Sequence, residues 1–261
     1  MTVVTWNTHA GAGDIGALIG ELRRGALTGT PVDDFVILLQ EAVRRGADVP
    51  TPVPTGAATA GRIAFDKESF DVVEAARSAR LNLVYVPSMR NGTEAEDRGN
   101  AVLTTLPIGA VEGIELPFGR QRRVAIAATL APHGGDPAFR VVDAHFDTAL
   151  RFGVGGPAAW RRRQADALLD AIQESPMPTV VGGDFNTWWG NDEPAVDDLL
   201  RAFPAAKDRV RGETWRGPLA ARARLDHMFA SGWDGPLDVR RAARRFGSDH
   251  YPLYLVVTFE L

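Results

Sequence analysis

The run Phe35-Val36-Ile37-Leu38-Leu39 restricts the fold more than any other segment. It is apolar at every position, with no polar alternation. A strand with one face in water alternates, so an unbroken apolar run fits a sheet covered on both faces. The run stops abruptly at Gln40-Glu41. Burying a carboxylate without a partner is costly. Glu41 therefore either reaches solvent at the strand end or has a purpose there, and this segment alone supports both readings.

The same grammar recurs along the chain. Thr179-Val180-Val181-Gly182-Gly183-Asp184-Phe185-Asn186 is a β-branched run ending in two glycines and two polar groups. Asp184 and Asn186 lie two apart, so in extended chain they point the same way. Val3 to Trp6 ends at Asn7, and Phe139 to His145 ends in a histidine. Arg98-Gly99-Asn100-Ala101-Val102-Leu103 is a strand opened by a polar asparagine, and Leu225-Asp226-His227-Met228-Phe229 carries an acid. Gly247-Ser248-Asp249-His250 precedes a last strand from Leu253 to Phe259. Open α/β sheets bind ligands at the carboxyl ends of their strands, where several of these groups would emerge.

Helical patterns lie between the strands. Asp14 is placed to cap a helix whose Ile15, Leu18, Ile19 and Leu22 share a face. Phe65 to Arg80 and Ala158 to Gln173 read as further helices, and Asp192 as the cap of a helix from Glu193 to Phe203. Arg161-Arg162-Arg163 reads as a solvated face. Arg45 to Gly61, rich in Pro, Gly, Ala and Thr, reads as a long surface loop. Arg123 to Leu130 joins Phe139 to His145 through Pro132–Pro137 as an antiparallel pair. Helix and strand alternate, but hairpins intervene. The expectation is one α/β domain over residues 1–261, built from stacked mixed sheets and not doubly wound.

Composition narrows the partners. Net charge is -4, so a generally basic nucleic-acid surface is absent, although local patches of arginine remain available. Lysine occurs only at Lys67 and Lys207 among 29 basic residues. Without cysteine there is no disulfide, thiolate metal site or cysteine nucleophile. No signal peptide or long apolar span is visible. The expectation is a soluble cytoplasmic protein without a transmembrane segment, working as a monomer.

The polar residues at the strand ends are oxygen-rich and include two histidines: Asn7, Glu41, Asn100, His145, Asp184, Asn186, Asp226, Asp249 and His250. Hard divalent cations take such oxygen ligands, magnesium using one or two carboxylates with water and substrate phosphate. No HExxH, GxSxG or P-loop pattern competes. His227 reads as structural, and Trp188 and Trp189 as locally packed, with stacking on a base or headgroup as the alternative.

In this order the segments Trp6-Asn7, Leu39-Gln40-Glu41, Gly99-Asn100-Ala101-Val102-Leu103, Ala144-His145, Gly183-Asp184-Phe185-Asn186, Leu225-Asp226-His227 and Ser248-Asp249-His250 resemble one known group. It is the endonuclease/exonuclease/phosphatase superfamily, which includes DNase I-like nucleases, AP endonucleases, sphingomyelinases and inositol phosphatases. The resemblance implies a four-layer α/β sandwich of two packed mixed β-sheets flanked by helices. It implies a phosphoesterase dependent on Mg2+ or Mn2+, with Asn7 and Glu41 holding the metal and Asp249 at its outer edge. Asp184 would orient or deprotonate the attacking water, and Asn186 would position the phosphate. His250, steered by Asp226, would stabilise the phosphorane or serve the leaving group. His145 would stand at the scissile phosphate and Asn100 would donate nearby. Arg123, which opens a strand, is a candidate phosphate clamp. The inositol-phosphatase Trp-Cys-Asp-Arg signature is impossible without cysteine, and Ala42-Val43-Arg44 replaces the lysine that follows Leu-Gln-Glu in AP endonucleases. A phosphodiesterase or nuclease acting on a small, terminal or single-stranded phosphoester leads. A phospholipid or sphingomyelin headgroup hydrolase stands beside it, and an inactive binding module on the same fold is the contrasting class.

Overall fold

The computed structural model describes residues 1–45, 62–63, 69–91, 96–148, 156–172 and 177–258. Its elements run β1 (Thr2–Asn7), α1 (Ile15–Arg24), β2 (Phe35–Arg45), β3 (Arg62–Ile63), α2 (Val72–Ala79), β4 (Asn82–Asn91), β5 (Glu96–Thr104) and β6 (Ile108–Glu115). There follow β7 (Val124–Leu130), β8 (Phe139–His145), α3 (Gly156–Ile172), β9 (Thr179–Asp184), α4 (Pro194–Ala202), β10 (Ala206–Asp208), β11 (Trp215–Arg216), β12 (Arg222–Ala223), β13 (Asp226–Ser231), β14 (Leu237–Arg241) and β15 (Leu253–Val256).

Two mixed sheets carry the fold. One has the order β10-β14-β15-β1-β2-β5-β4-β3 and the other β13-β9-β8-β7-β6. Within them β1 and β2 run parallel, as do β8 and β9, while most hairpin neighbours run antiparallel. Alternation along the strands sorts the apolar residues into three cores. On β2, Val36 and Leu38 join Val141, Val180 and Met228 between the sheets. The intervening Phe35, Ile37 and Leu39 pack beneath α1 and α2. On the second sheet Val142, Ala144 and Val181 pack beneath α3 and α4. The unbroken apolar run is thus explained by burial on both faces, and the layers are helix, sheet, sheet, helix, as the sequence implied.

Two glycines of β9 allow close approaches. A Cβ on Gly182 would stand 3.0 Å from Thr5 Cβ of the opposite sheet, and one on Gly183 would stand 1.9 Å from the Ala144 carbonyl oxygen. The second contact is with backbone, so no side chain is tolerated there.

Local expectations hold in part. Asp14 caps α1 by accepting from the Ala17 amide at 2.9 Å. Asp192 does not cap α4. The N-cap is Glu193, whose side chain makes no capping bond and turns instead to Arg161. That arginine is fully buried and pairs bidentately with Glu193 at 2.6 and 2.7 Å, so the solvated-face reading fails for Arg161. The second helix covers only Val72–Ala79 among the described residues, capped by Asp71. The segment 46–61 read as a loop and the turn at 92–95 lie outside the described residues.

Beneath the site, the interlayer core turns polar. Gln40 Nε2 donates to Asp143 Oδ1 at 2.6 Å and to Thr5 Oγ1 at 3.0 Å, and Asn100 Nδ2 reaches the Asp143 carbonyl at 3.5 Å. Burial holds the Asp143 carboxyl well above the usual range, against the donors from Gln40, Ala101 and Asn100. Gln40 Oε1, Asn100 Oδ1 and Asp143 Oδ2 have no hydrogen-bond partner among the described residues, and a proton on Asp143 gives one of these oxygens a donor. A raised native pKa contributes stability that is present below the ordinary carboxylate value of about 4 and is lost as pH rises through the native value. Stability of the wild type is therefore expected to carry a declining component above about pH 4 that Asp143→Asn removes. Urea unfolding of both proteins over a pH series checks this, and identical pH slopes would refute it.

Candidate active site

The same alternation that builds the cores gathers the polar strand ends. Counting by twos from Val3, Val141 and Val180, or back from Met228, the interlayer set reaches Asn7, His145, Asp184 and Asp226. Four side chains on four strands thus emerge at one edge of the seam between the sheets. By simple alternation Glu41 would face the helices with Leu39. The β2–β5 register shifts between Leu39 and Ala42, and Glu41 adopts a left-handed φ of 53°. This bulge turns Glu41 toward the seam and returns Ala42 to the helical side. His9 and Asn186 also have left-handed φ, 51° each. Strained non-glycine backbone tends to concentrate at functional sites.

Asn7, His9, Glu41, His145, Asp184 and His250 line one cavity of about 160 Å³, with Thr148, Asn186, Trp188, Trp215, Leu225 and Asp249 completing its wall. A hollow of about 220 Å³ elsewhere, around Trp233, holds one carboxylate, Asp234, and no histidine. In the site, Asn7 Nδ2 donates to Asp184 Oδ2 at 2.8 Å and the Asn186 amide to Asp184 Oδ1 at 2.9 Å. Asn186 Nδ2 is tied to the Phe146 carbonyl at 2.9 Å. His250 Nδ1 lies 2.9 and 3.0 Å from the two Asp226 oxygens, and its Nε2 lies 3.8 Å from Asp184 Oδ2. Ser248 braces this end, donating to the Asn7 carbonyl at 2.7 Å and accepting the His250 amide at 3.0 Å. Glu41 Oε2 accepts from the Ala10 amide at 3.0 Å and from Arg98 at 3.1 Å. Asp249 accepts from the Trp215 indole at 2.8 Å, and His9 Nδ1 stands 3.1 Å from its other oxygen.

Electrostatics separate the groups. Burial pushes Asp184 up to about 7, with Asp226 adding to the rise and His250, Asn7 and the Asn186 amide opposing it. Burial would lower His250, but Asp226, Asp184 and Asp249 outweigh it and raise the imidazole to about 10. Burial likewise works against the Glu41 carboxylate, yet Arg98, with Arg123, His250 and His9, holds it below the usual range. His145 is pushed well down by burial and by Arg123 and Arg98. The site thus pairs an acid form of His250 with a carboxylate whose proton affinity suits a base near neutrality.

Of the residues expected from sequence, Asn7, Glu41, His145, Asp184, Asn186, Asp249 and His250 meet on the cavity wall, with Asp226 directly behind His250. Asn100 and Arg123 stand back from it. Asn100 is fully buried with Asp143, and Arg123, also buried, places NH1 3.1 Å from His145 Nδ1. His227 is buried against Thr187 at 2.7 Å with its pKa lowered to about 3 by burial, as a structural histidine should be. Trp188 packs edge-on against Trp215 at 5.3 Å while also facing the cavity, whereas Trp189 is largely exposed over Arg161. Sequence reasoning passed over His9, Arg98, Thr148 and Trp215. His9 had a signal in its position two residues after Asn7; Trp215 had none, since the β11–β12 ribbon that carries it is two residues wide.

Asp184, Asp226 and His250 also bring ligand atoms within 4.8 Å of one another, a buried grouping that could hold a metal ion. No helix among the described residues is long and apolar enough to cross a membrane.

The profile of the endonuclease/exonuclease/phosphatase family matches residues 4–250. A Leptotrichia buccalis endonuclease/exonuclease/phosphatase family protein shares the fold with a TM-score of 0.65 at 17% identity, over 99% of this chain and 100% of that one. Sphingomyelinase C from Streptomyces griseocarneus does so with a TM-score of 0.59 at 18% identity, over 99% of each chain. A UPF0294 protein of Vibrio vulnificus is 32% identical over 99 residues, 37% of this chain, so the chain covers 33% of the length of that curated relative.

Proposed function

The chain belongs to the endonuclease/exonuclease/phosphatase family, and from that premise we propose that it is a divalent-metal-dependent phosphodiesterase acting on small or terminal phosphodiesters. The observation that carries this reading is the placement of His250, with Nδ1 2.9 Å from Asp226 and Nε2 3.8 Å from Asp184, on one small cavity with Glu41; the surrounding carboxylates favour its charged form. Phosphodiester hydrolysis needs a base for water, a positive field on the phosphoryl oxygens and a proton source for the leaving oxygen. These groups can supply all three.

The donor set fits a hard cation. Glu41 is held below the usual carboxylate range, and Asn7, its Nδ2 turned to Asp184, keeps a lone pair on the amide oxygen that also accepts the His9 amide at 2.9 Å. Glu41 and Asn7 would hold Mg2+ or Mn2+, with Asp249 at the outer edge. The Asp184–Asp226–His250 grouping suits a metal less well, since Asp226 already binds the His250 ring and a protonated imidazole has no lone pair to offer. When bound, the metal neutralises phosphoryl charge. Asp184 accepts a proton from the attacking water, oriented by Asn7 and the Asn186 amide. His250 offers its Nε2 proton toward the leaving oxygen while Asp226 holds the ring. Asn186 and His145, on the same cavity wall, would position the phosphate.

The arginine surface supports a small substrate. Arg122 is bound by Glu115 and the Pro87 carbonyl, Arg244 by Glu21, and Arg241 by the Glu213 carbonyl. Arg240 stands 3.8 Å from Asp238. Duplex DNA binders neutralise many phosphates and lose affinity with a log-log salt slope of about -0.9 per contact. Here turnover of a small phosphodiester is expected to vary little with salt. A second reading, hydrolysis of a phospholipid headgroup, draws on the Trp188–Trp215 corner beside the cavity and on the likeness to a sphingomyelinase. Bis(4-nitrophenyl) phosphate, sphingomyelin vesicles and supercoiled plasmid, each over a salt series, separate the cases. Efficient nicking that collapses between low and moderate salt would replace the small-substrate reading with a DNase.

A further inference from the structure

The two site imidazoles are backed by opposite charges. Behind His250 stands a carboxylate, which accepts a proton from Nδ1. Behind His145 stands a guanidinium, whose NH1 lies 3.1 Å from Nδ1. Arginine has only donors and does not lose its proton in proteins. A guanidinium N–H at that distance needs a lone pair on the ring nitrogen, so Nδ1 accepts and the single ring proton sits on Nε2.

We propose that Arg123 is a positioning residue that locks His145 in the Nε2–H tautomer, so that His145 serves the phosphoryl group as a fixed hydrogen-bond donor and not as a proton carrier. The functional part rests on the phosphodiesterase reading above, while the tautomer does not. Nε2 is directed at the site, where it stands 3.6 Å from Asp184 Oδ2 and where His145 lines the cavity. The guanidinium is enclosed, because Arg123 is 1% exposed and its backbone, immediately before β7, is held by the Leu116 amide, which donates to the Arg123 carbonyl at 3.0 Å. A neutral donor whose direction is set before substrate arrives loses no orientation energy during the reaction. This arrangement also gives Arg123 a task that needs no contact with substrate, which its burial precludes without rearrangement. Lysine would keep the charge but not the planar fork.

Two measurements test the proposal. Long-range 1H–15N correlation NMR of the full chain, with the His145 ring assigned by its disappearance in His145→Gln, is expected to show protonated Nε2 and unprotonated Nδ1 near neutral pH. A protonated Nδ1 would overturn the proposal whether or not the protein has activity. Arg123→Lys is expected to give a mixture of tautomers if it folds, and the wild-type spectrum decides the matter if it does not. In turnover of bis(4-nitrophenyl) phosphate with Mg2+, His145→Ala is expected to lose on the order of 100-fold, whereas His145→Gln, whose carboxamide still donates, stays within about tenfold of wild type. A glutamine variant as inactive as the alanine variant would overturn the donor role. Absence of wild-type activity on every phosphoester would sink the phosphodiesterase reading and leave the tautomer result standing.

Discussion

Replacing His250 by alanine, or Asp184 by asparagine, is expected to lower phosphodiester turnover on the order of 100-fold or more, as removal of a general acid or base does. The two substitutions act at opposite ends of one proton path. His250→Ala removes the donor that Asp226 and Asp184 hold in its charged form, and Asp184→Asn removes the acceptor that Asn7 and the Asn186 amide orient. The alanine variant also leaves the Asp226 carboxylate buried beside an empty space, so its thermal stability must be followed alongside turnover. Asparagine conserves shape and isolates the chemical effect. A folded Asp184→Asn protein with full turnover would show that the base lies elsewhere.

Breaking the Arg161–Glu193 pair is expected to give the largest loss of stability. Both side chains are essentially inaccessible and meet in a bidentate contact that ties α3 to the start of α4. Arg161→Met leaves a buried carboxylate without a counter-charge, held only by the Trp189 amide at 3.3 Å, and is expected to cost about 3–5 kcal/mol. Arg162→Met, whose side chain is about half exposed in its contact with Asp198, is expected to cost under about 1 kcal/mol. A double variant, Arg161→Met with Glu193→Leu, should recover much of the single-variant loss, because the unpaired charge is gone. Urea unfolding of the four proteins reads these differences. Equal costs at positions 161 and 162 would mean that the buried pair contributes nothing specific.

The contrast between these neighbouring arginines marks what sequence could and could not reveal. Arg161, Arg162 and Arg163 are one charge run in the sequence; only the approach of Glu193, 32 residues away, distinguishes the first. Burial of the sheet on both faces, by contrast, was legible because Phe35–Leu39 is apolar at every position, a local property, while the four-layer order came from the family resemblance. The candidate site set was legible because its members stand at strand ends, in the order that the family resemblance carries, and the structure adds why they converge. Asn7, His145, Asp184 and Asp226 follow strict twos from interlayer valines or from Met228. Glu41 breaks that count, and its inward turn depends on a bulge whose backbone strain no side-chain pattern announces. Asn100 and Arg123 were expected to reach the substrate, but both are buried behind the cavity wall, a depth set by long-range neighbours: Asp143 for one, His145 for the other. His9 could have been found from its position two residues after Asn7, although its partner, Asp249, lies 240 positions away in the chain.

The central claim is that Glu41 and its neighbours make this cavity a metal-dependent phosphoesterase site. Turnover of bis(4-nitrophenyl) phosphate by metal-stripped protein, titrated with Mg2+ and Mn2+, tests it most directly. No turnover is expected in EDTA, with recovery on adding either ion. Glu41→Gln is expected to raise the half-saturating metal concentration on the order of tenfold or more, because an anionic ligand is lost. Turnover that persists unchanged in EDTA, or a Glu41→Gln protein with the metal dependence of the wild type, would contradict it.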